Sequence, residues 1–294
     1  MSALSICSPR PGDGKTTVAA GLLSLLGRRG VTAYRREGDG ADAQFLRSAL
    51  GLAPTGGGHE LVESDGSPPA GGPRLIVTAF RGQATVDEAR AEAAGGQTVG
   101  AIVNAVPTAQ GRYLERELRP ALEAAGLRVL GALPETRALR GHSARELAQF
   151  LQGGVIAGRD YLDNMIESYM IGAMSHIGNS AVPYFERFAN KAVVTGGNRI
   201  DIHMAALGTP CQAIVLTGGY DPDPVVVERA EAEGCPLIQV GEDAPEVMDR
   251  IGAFLRGVRF RHAGKVPIAA DLLRRHVDLS PIEAALGLSA AARA

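Results

Sequence analysis

Short apolar runs alternate with segments of helical spacing along almost the whole chain, and this alternation constrains the fold more than any other feature. In the first half the runs are ALSICS (3–8), VTAYR (31–35), LIVTAF (75–80), AIVNAV (101–106) and VLGAL (129–133). LVE (61–63) is a possible further strand in the Gly- and Pro-rich stretch 53–73. Helical periodicity covers 16–29, 42–52, 85–94 and 113–125, and Ser143 with Glu146 forms a capping box for a helix ending at Leu151. A second series follows Gly153-Gly154: YMIGAM (169–174), KAVVT (191–195), AIVLT (213–217) and PLIQV (236–240). Helices are predicted between these runs and after them, near 179–189, 199–207, 223–233 and 244–255. Strands that alternate with helices belong in parallel sheets covered by helices. The expected fold class is therefore α/β: a P-loop NTPase-type parallel sheet with helices on both faces, then a second, smaller α/β domain. The domains are placed at 1–155 and 156–258, with a helical tail at 259–294.

Composition excludes several classes. Lys plus Arg is 30 against 32 for Asp plus Glu, a net charge of −2. Such a chain is not built for wholesale contact with nucleic-acid phosphates. The basic residues of the tail, Arg256, Arg259, Arg261, His262, Lys265, Arg274 and Arg275, read as a solvated helix face, with no interleaved aromatics for base stacking. No apolar stretch reaches 18 residues and the first residues lack a signal-peptide pattern, so no membrane span and a cytoplasmic location are expected. Cys7, Cys211 and Cys235 have no CxxC spacing and each adjoins an apolar run, which suits small buried apolar residues in a reducing compartment. The six histidines have no zinc-ligand spacing, and no Ser-His-Asp pattern or G-x-S-x-G elbow appears.

The strongest chemical signal is Gly12-Asp13-Gly14-Lys15-Thr16-Thr17, between the first strand and the first helix. Glycines let successive backbone N–H groups turn toward phosphates. A lysine reaches the β- and γ-phosphates, a Ser/Thr hydroxyl takes Mg²⁺, and the helix N-terminus adds a favourable field. Lys15 and Thr16 are the candidate catalytic pair, and Arg10, Gly12, Asp13, Gly14, Lys15, Thr16 and Thr17 the candidate nucleotide contacts. In G-x-x-x-x-G-K-[ST] the first glycine would fall at Pro9. Arg10 lies five residues before Lys15, the place of the extra signature lysine in deviant Walker A loops. Thr16 and a strand-end carboxylate are the expected Mg²⁺ ligands. Glu63 leads the candidates, ahead of Asp39, Asp42 and Asp65. Arg36, at the end of the second strand, could reach an anionic ligand.

GDGKTTVAAGLL, DAQFLRSALGL, GAIVNAVP and VLGALPETRAL resemble the dethiobiotin synthetase-like P-loop domain, in the version at the N-terminus of long bacterial phosphotransacetylases. KAVVTGGNRIDIHMAAL (191–207), AIVLTGGYDPDP (213–224) and CPLIQVGED (235–243) resemble the DRTGG domain that follows it there. The resemblance implies ATP and Mg²⁺ as ligands and places Asn104 against the adenine; a local turn bond is the alternative for that residue. It marks Thr195, Gly196, Gly197, Asn198, Arg199 and Asp201 as the DRTGG signature. There a Gly-rich turn meets a helix start, and Arg199 could pair a second small anionic ligand. The pattern departs from dethiobiotin synthetases at Arg36-Glu37, where they carry Lys-Pro, and at Glu63-Ser64-Asp65-Gly66, where they usually carry Glu-Gly.

The resemblance implies an ATP-binding regulator or sensor that stands alone, without the acetyltransferase domain and its activity. The alternative is an ATP-dependent carboxylate-activating ligase, like dethiobiotin synthetase or cobyrinic acid diamide synthase. A homodimer or higher homo-oligomer is expected through the second domain. Segment 161–188 holds three of the six tyrosines and three of the six methionines, residue types enriched at interface cores; filling that domain's own core is the alternative.

Overall fold

The computed structural model describes residues 2–36, 40–53, 58–64, 72–172, 181–255, 257 and 260–288. The chain divides into two compact units, Met1–Leu139 with Arg259–Ala294, and Arg140–Val258. The elements of the first stretch are β1 (Ala3–Cys7), α1 (Lys15–Leu26), β2 (Val31–Arg36), α2 (Ala41–Leu50), β3 (His59–Glu63), β4 (Arg74–Ala79), α3 (Ala84–Ala93) and β5 (Thr98–Val106). They continue as α4 (Gly111–Tyr113), α5 (Arg119–Ala124), β6 (Val129–Pro134) and α6 (Arg137–Arg140). A π-turn, Leu114–Leu118, joins α4 to α5. Pro120 cannot donate to the turn before it, and a widened turn accommodates its ring.

The first sheet is six-stranded with the order β2-β3-β1-β4-β5-β6, and every pairing in it is parallel. Its strands are apolar on both faces because both faces are covered. On β4, Leu75 and Val77 enter one core layer while Ile76 enters the other. On β5, Ile102 faces the first layer and Ala101 and Val103 the second. Strand order reverses at β1, which lies between β3 and β4, so the loop leaving β1 opens at a switch point, where open parallel sheets bind ligands.

The second unit contains β7 (His142–Ser143), α7 (Ala144–Leu151), β8 (Gly154–Ala157), β9 (Met165–Ile166), β10 (Ser168–Ile171), α8 (Ala181–Phe185), β11 (Lys191–Gly196), α9 (Ile200–Leu207), β12 (Cys211–Thr217), α10 (Pro224–Ala232), β13 (Leu237–Gln239) and α11 (Ala244–Leu255). Its main sheet has the order β10-β11-β12-β13-β8. The first four strands run parallel and β8 is antiparallel to β13. The predicted capping box is present: Glu146 N–H donates to Ser143 Oγ at 3.1 Å and Ser143 N–H to Glu146 Oε2 at 2.9 Å. Of segment 161–188, Ile166, Met170 and Phe185 are buried in this unit's own core, while Tyr161, Ile171 and Phe188 remain exposed. Met174 and Ile177 lie outside the described residues.

Two boundaries differ from those drawn on the sequence. The division falls at 139/140 and not at 155/156, because Leu147, Ala148 and Leu151 of α7 pack with Val194 and Val215 of the second sheet. The C-terminal segment is no separate tail. Its helices, α12 (Lys265–His276) and α13 (Ser280–Ala285), belong to the first unit. Val266, Ala269, Leu273, Val277 and Ile282 share one core with Leu4, Leu22 and Leu75. The contact with α1 is close: a Cβ on Gly21 would stand 2.5 Å from Leu273 Cδ1 and 2.9 Å from the Ala269 backbone. The predicted solvated basic face is also corrected at one residue, since Lys265 is buried. Arg274 and Arg275 do face solvent, paired with Asp271. Among the described residues, no helix is long and apolar enough to cross a membrane.

Leu273 is 0% exposed at the α1–α12 contact. Leu273→Ala should cost about 2–5 kcal/mol, the range for deleting a buried leucine, read as a lowered urea midpoint of the first unit. A change confined to a few tenths of a kcal/mol would mean that the C-terminal helices do not contribute to this core.

Candidate phosphate-binding site and a second glycine-rich edge

The loop between β1 and α1 takes its shape from two glycines with positive φ, Gly12 at 87° and Gly14 at 101°. Gly14 is the N-cap of α1, and no side chain caps this helix start. A Cβ on Gly14 would lie 2.0 Å from Asn104 Nδ2, so both backbone conformation and space require glycine here. The result is a helix N-terminus of low steric bulk, the arrangement that accepts phosphate.

Lys15 is buried and donates from Nζ to Ser8 Oγ at 2.9 Å, and Ser8 Oγ donates to the Arg10 carbonyl at 2.8 Å. The lysine thus folds back along its own loop. Thr16 Oγ1 donates to the Glu63 carboxylate, 2.8 Å from Oε1 and 3.1 Å from Oε2. Glu63 ends β3, in register with Ile6 of β1, and is only 1% exposed. Tyr34 Oη donates to Glu63 Oε2 at 2.5 Å, and Arg36 Nε lies 3.7 Å from Oε1. The predicted Thr16–Glu63 juxtaposition therefore exists. Glu37, Asp39 and Asp65 lie outside the described residues, and Asp42 sits in the first turn of α2.

Asp13 is fully buried inside the loop. Its carboxylate accepts from Arg10 N–H at 3.1 Å and from the Arg81 guanidinium, at the end of β4. Arg81 also pairs with Glu88 of α3 at 2.9 Å, and Glu88 receives the exposed Arg10 side chain. Burial works against the charge of Arg81, but its hydrogen bond to Asp13 and the nearness of Asp13 and Glu88 outweigh it, so its pKa lies above the ordinary value. The Asp13 carbonyl accepts from Asn104 Nδ2 at 2.9 Å. Asn104 thus braces the loop backbone through a bond that spans 91 residues of sequence, which is not the local turn bond considered beside the adenine contact. It stands at a register shift between Val103 and Val106, and Ala105 next to it has φ 55°, a conformation non-glycine residues seldom adopt. Thr17 completes the turn, half-buried.

Sequence reading missed Tyr34, Arg81 and Glu88. Each comes from a different element, and only the strand order brings them to the end of β1.

In the second unit, Thr195, Gly196 and Gly197 leave β11 beside Thr217, Gly218 and Gly219 at the end of β12. Gly196 is in register with Thr217, and Gly197 N–H donates to the Thr217 carbonyl at 3.0 Å. A Cβ on Gly197 would lie 2.3 Å from the Tyr220 carbonyl oxygen. Thr195 Oγ1 donates to the Gly172 carbonyl at 2.8 Å. Arg199 grips Asp201 with two bonds, 2.9 and 2.8 Å. The guanidinium holds the Asp201 carboxyl below its ordinary range, so an incoming anion would compete with Asp201 for Arg199. Behind the loop, buried His203 shares Nε2 with the Gly196 carbonyl at 3.0 Å. Desolvation lowers its pKa and favours the neutral ring.

Arg81→Ala should leave the Asp13 carboxylate buried with fewer partners and cost about 2 kcal/mol. Adding Asp13→Asn should recover part of that loss. A double-mutant cycle by urea denaturation checks this, and additive losses would refute the coupling.

Residues 146–254 match the family model described as the DRTGG domain. The chain is 28% identical over 164 residues to a phosphate acetyltransferase of Synechocystis sp., covering 53% of this chain and 23% of the relative. With a phosphate acetyltransferase of Pseudomonas putida it shares 25% over 171 residues, covering 55% and 24%. It is 30% identical over 98 residues to the uncharacterized protein YtoI of Bacillus subtilis, covering 33% and 21%. The chain thus spans less than a quarter of the length of these curated relatives. Two solved structures align at 14% identity. The CBS and DRTGG domains of the regulatory region of Clostridium perfringens pyrophosphatase, complexed with the activator diadenosine tetraphosphate, cover 40% of this chain and 48% of theirs, with a TM-score of 0.34. The MinC:MinD cell division protein complex of Aquifex aeolicus covers 47% and 83%, with a TM-score of 0.36. The match to the DRTGG domain thus falls within the second unit, and about half of the chain is similar to part of the phosphate acetyltransferases.

Proposed function

We propose that this chain is an ATP-binding regulatory module. Its first unit takes Mg-ATP at Gly12–Thr17, and its DRTGG unit takes a second, anionic ligand at the edge formed by Thr195, Gly196, Gly197 and Arg199. The observation that carries the reading is the β1–α1 loop, where a left-handed glycine opens a helix beside Lys15 and a Thr16–Glu63 pair. Backbone N–H groups at the start of α1 and the Lys15 ammonium would hold the phosphates, with Lys15 exchanging Ser8 for phosphate oxygen. Asn104, at the loop's flank, is the side chain offered to the base.

Mg²⁺ takes oxygen ligands, and the donor set here fits it: a threonine hydroxyl already oriented by a buried carboxylate. Thr16 would ligate the ion and Glu63 would orient Thr16, directly or through water. The bound ion would neutralise phosphate charge. The regulatory part of the reading is supported by the partial match to phosphate acetyltransferases, and no acetyl transfer is assigned to these two units. Self-association through the second unit belongs to the same proposal, resting on the exposed Ile171 and Phe188. Light scattering of the full chain should give twice the monomer mass or more, and a monomer at micromolar concentration would refute it.

ATP with Mg²⁺ at 100 times its dissociation constant should stabilise the first unit by about 2.7 kcal/mol, seen as a raised melting temperature. Lys15→Ala should remove most of that shift. An unchanged shift in the variant, or none in the parent chain, would overturn the assignment.

A further inference from the structure

The second unit has a cleft at the edge of its sheet opposite the Thr-Gly-Gly loops. Its volume is about 490 Å³, and Tyr161, Asn164, Cys211, Arg229, Glu233 and Cys235 are among the residues lining it. It lies where β12 begins, below the C-terminal ends of α9 and α10. Nothing in the nucleotide reading uses this edge.

Two of the three cysteines of the chain line the cleft and share one buried cluster. Cys211 opens β12, and Cys235 stands two residues ahead of β13, the neighbouring strand. The Cys211 S–H donates to the Ala213 carbonyl at 3.2 Å, and the two thiols lie near enough to perturb each other's ionisation. Cys235 lies outside the strand ladder, so its backbone can adjust without breaking strand pairing. Lys191 opens β11 in register with Cys211. Its side chain is fully buried, and Nζ donates to the Pro210 carbonyl at 2.7 Å. A buried lysine beside two thiols is not explained by packing, since burying an ammonium costs far more than burying an apolar group of that size.

We propose that Cys211 and Cys235 form a reactive dithiol, and that the cleft admits a small-molecule disulfide which oxidises the pair to an intramolecular disulfide. Cys211 is the sulfur more open to the cleft, 8% exposed against 1% for Cys235, and this assigns it the attacking role. The nearness of Cys235, and then the Lys191 charge, bring the Cys211 thiol below its ordinary range despite burial. Cys235, beside Cys211 and itself buried, lies well above its ordinary value, with Glu233 adding to the rise. Desolvation lowers the pKa of Lys191, which Cys211, Cys235 and Glu186 oppose. Arg229, ion-paired with Glu233 at 2.6 Å, completes the charged groups at the mouth.

In the first step the Cys211 thiolate attacks one sulfur of the small disulfide. The S–S bond of the reagent breaks, and one thiolate leaves and takes a proton from solvent. In the second step Cys235 gives its proton to the leaving sulfur and attacks Cys211 Sγ, which expels the second thiol. The protein loses two electrons and two protons, and the reagent becomes two thiols. Cys7 is the internal control. It is fully buried in the first unit, takes a bond from Arg74 Nε at 3.5 Å, and burial raises its pKa.

The test uses the reduced full chain incubated with oxidised glutathione at pH 8, followed by thiol titration in denaturant and peptide mapping. The expected result is a fall from three free thiols to one, a Cys211–Cys235 peptide, and Cys7 still reduced. Cys235→Ser should stop at a glutathione adduct on Cys211. Lys191→Met should slow the reaction at neutral pH about tenfold, one pKa unit in thiolate fraction. The pH profile of Cys211 alkylation in the unmodified chain gives the same information if that variant does not fold, with its midpoint expected below that of free cysteine. Three thiols persisting after hours, reaction of Cys7 at the same rate as the pair, or a lasting adduct on Cys211 in the parent chain would each overturn the proposal.

Discussion

A buried carboxylate inside the phosphate loop organises the first unit. Asp13 is fully enclosed, and a charge in that position persists only with several partners. Its partners come from three places: the Arg10 backbone, the Arg81 side chain after β4, and Asn104 at the end of β5, which binds the Asp13 carbonyl. One residue thus ties the end of β1 to the ends of β4 and β5 on one side of the sheet. The close approach of Asn104 to Gly14 follows from the same arrangement, and so does the requirement for glycine at the helix start. Glu63 plays the matching part on the other side of β1, where it gathers Thr16, Tyr34 and Arg36. The loop sits between these two acids, one internal to it and one across the sheet.

The second constraint is topological. The helix that packs on α1 comes from the far end of the chain, so the first unit closes only after the second has been traversed. Gly21 is the point where this matters: its missing side chain lets α12 approach α1 to within contact of the Ala269 backbone. Gly131 does the same for the connection after α12, where a Cβ would stand 2.1 Å from the His276 carbonyl oxygen. Residues far apart in sequence therefore share one core, and the second unit is an insertion in the first.

The second unit separates two chemistries by the direction of its strands. At the carboxyl ends of β11 and β12, glycine turns bring backbone amides, Arg199 and Asp201 together. At the amino ends of the same strands stand Lys191 and Cys211. A parallel sheet places all strand starts on one edge and all strand ends on the other, so the thiols and the glycine loops cannot meet. Each edge can bind its own ligand.

Much of this was readable in the residues. Apolar periodicity located most strands and helices, because a strand buried on both faces needs an unbroken apolar run and a covering helix needs a 3.6-residue repeat. Gly12-Asp13-Gly14-Lys15-Thr16-Thr17 marked the loop, since phosphate binding requires those residue types in consecutive order. Ser143 and Glu146 marked a helix start for the same reason: local chemistry is written locally. Pairings between distant elements were not readable. Arg81 meeting Asp13, Tyr34 meeting Glu63, α12 covering α1, and Cys211 and Cys235 lining one cleft depend on strand order, register and the path of the chain. No short window of sequence encodes these. The sequence by itself determined the α/β class, the glycine loop and its lysine. The tertiary structure decided which carboxylates are buried, where the units divide and which cysteines line one cleft, because those outcomes depend on which distant segments pack side by side.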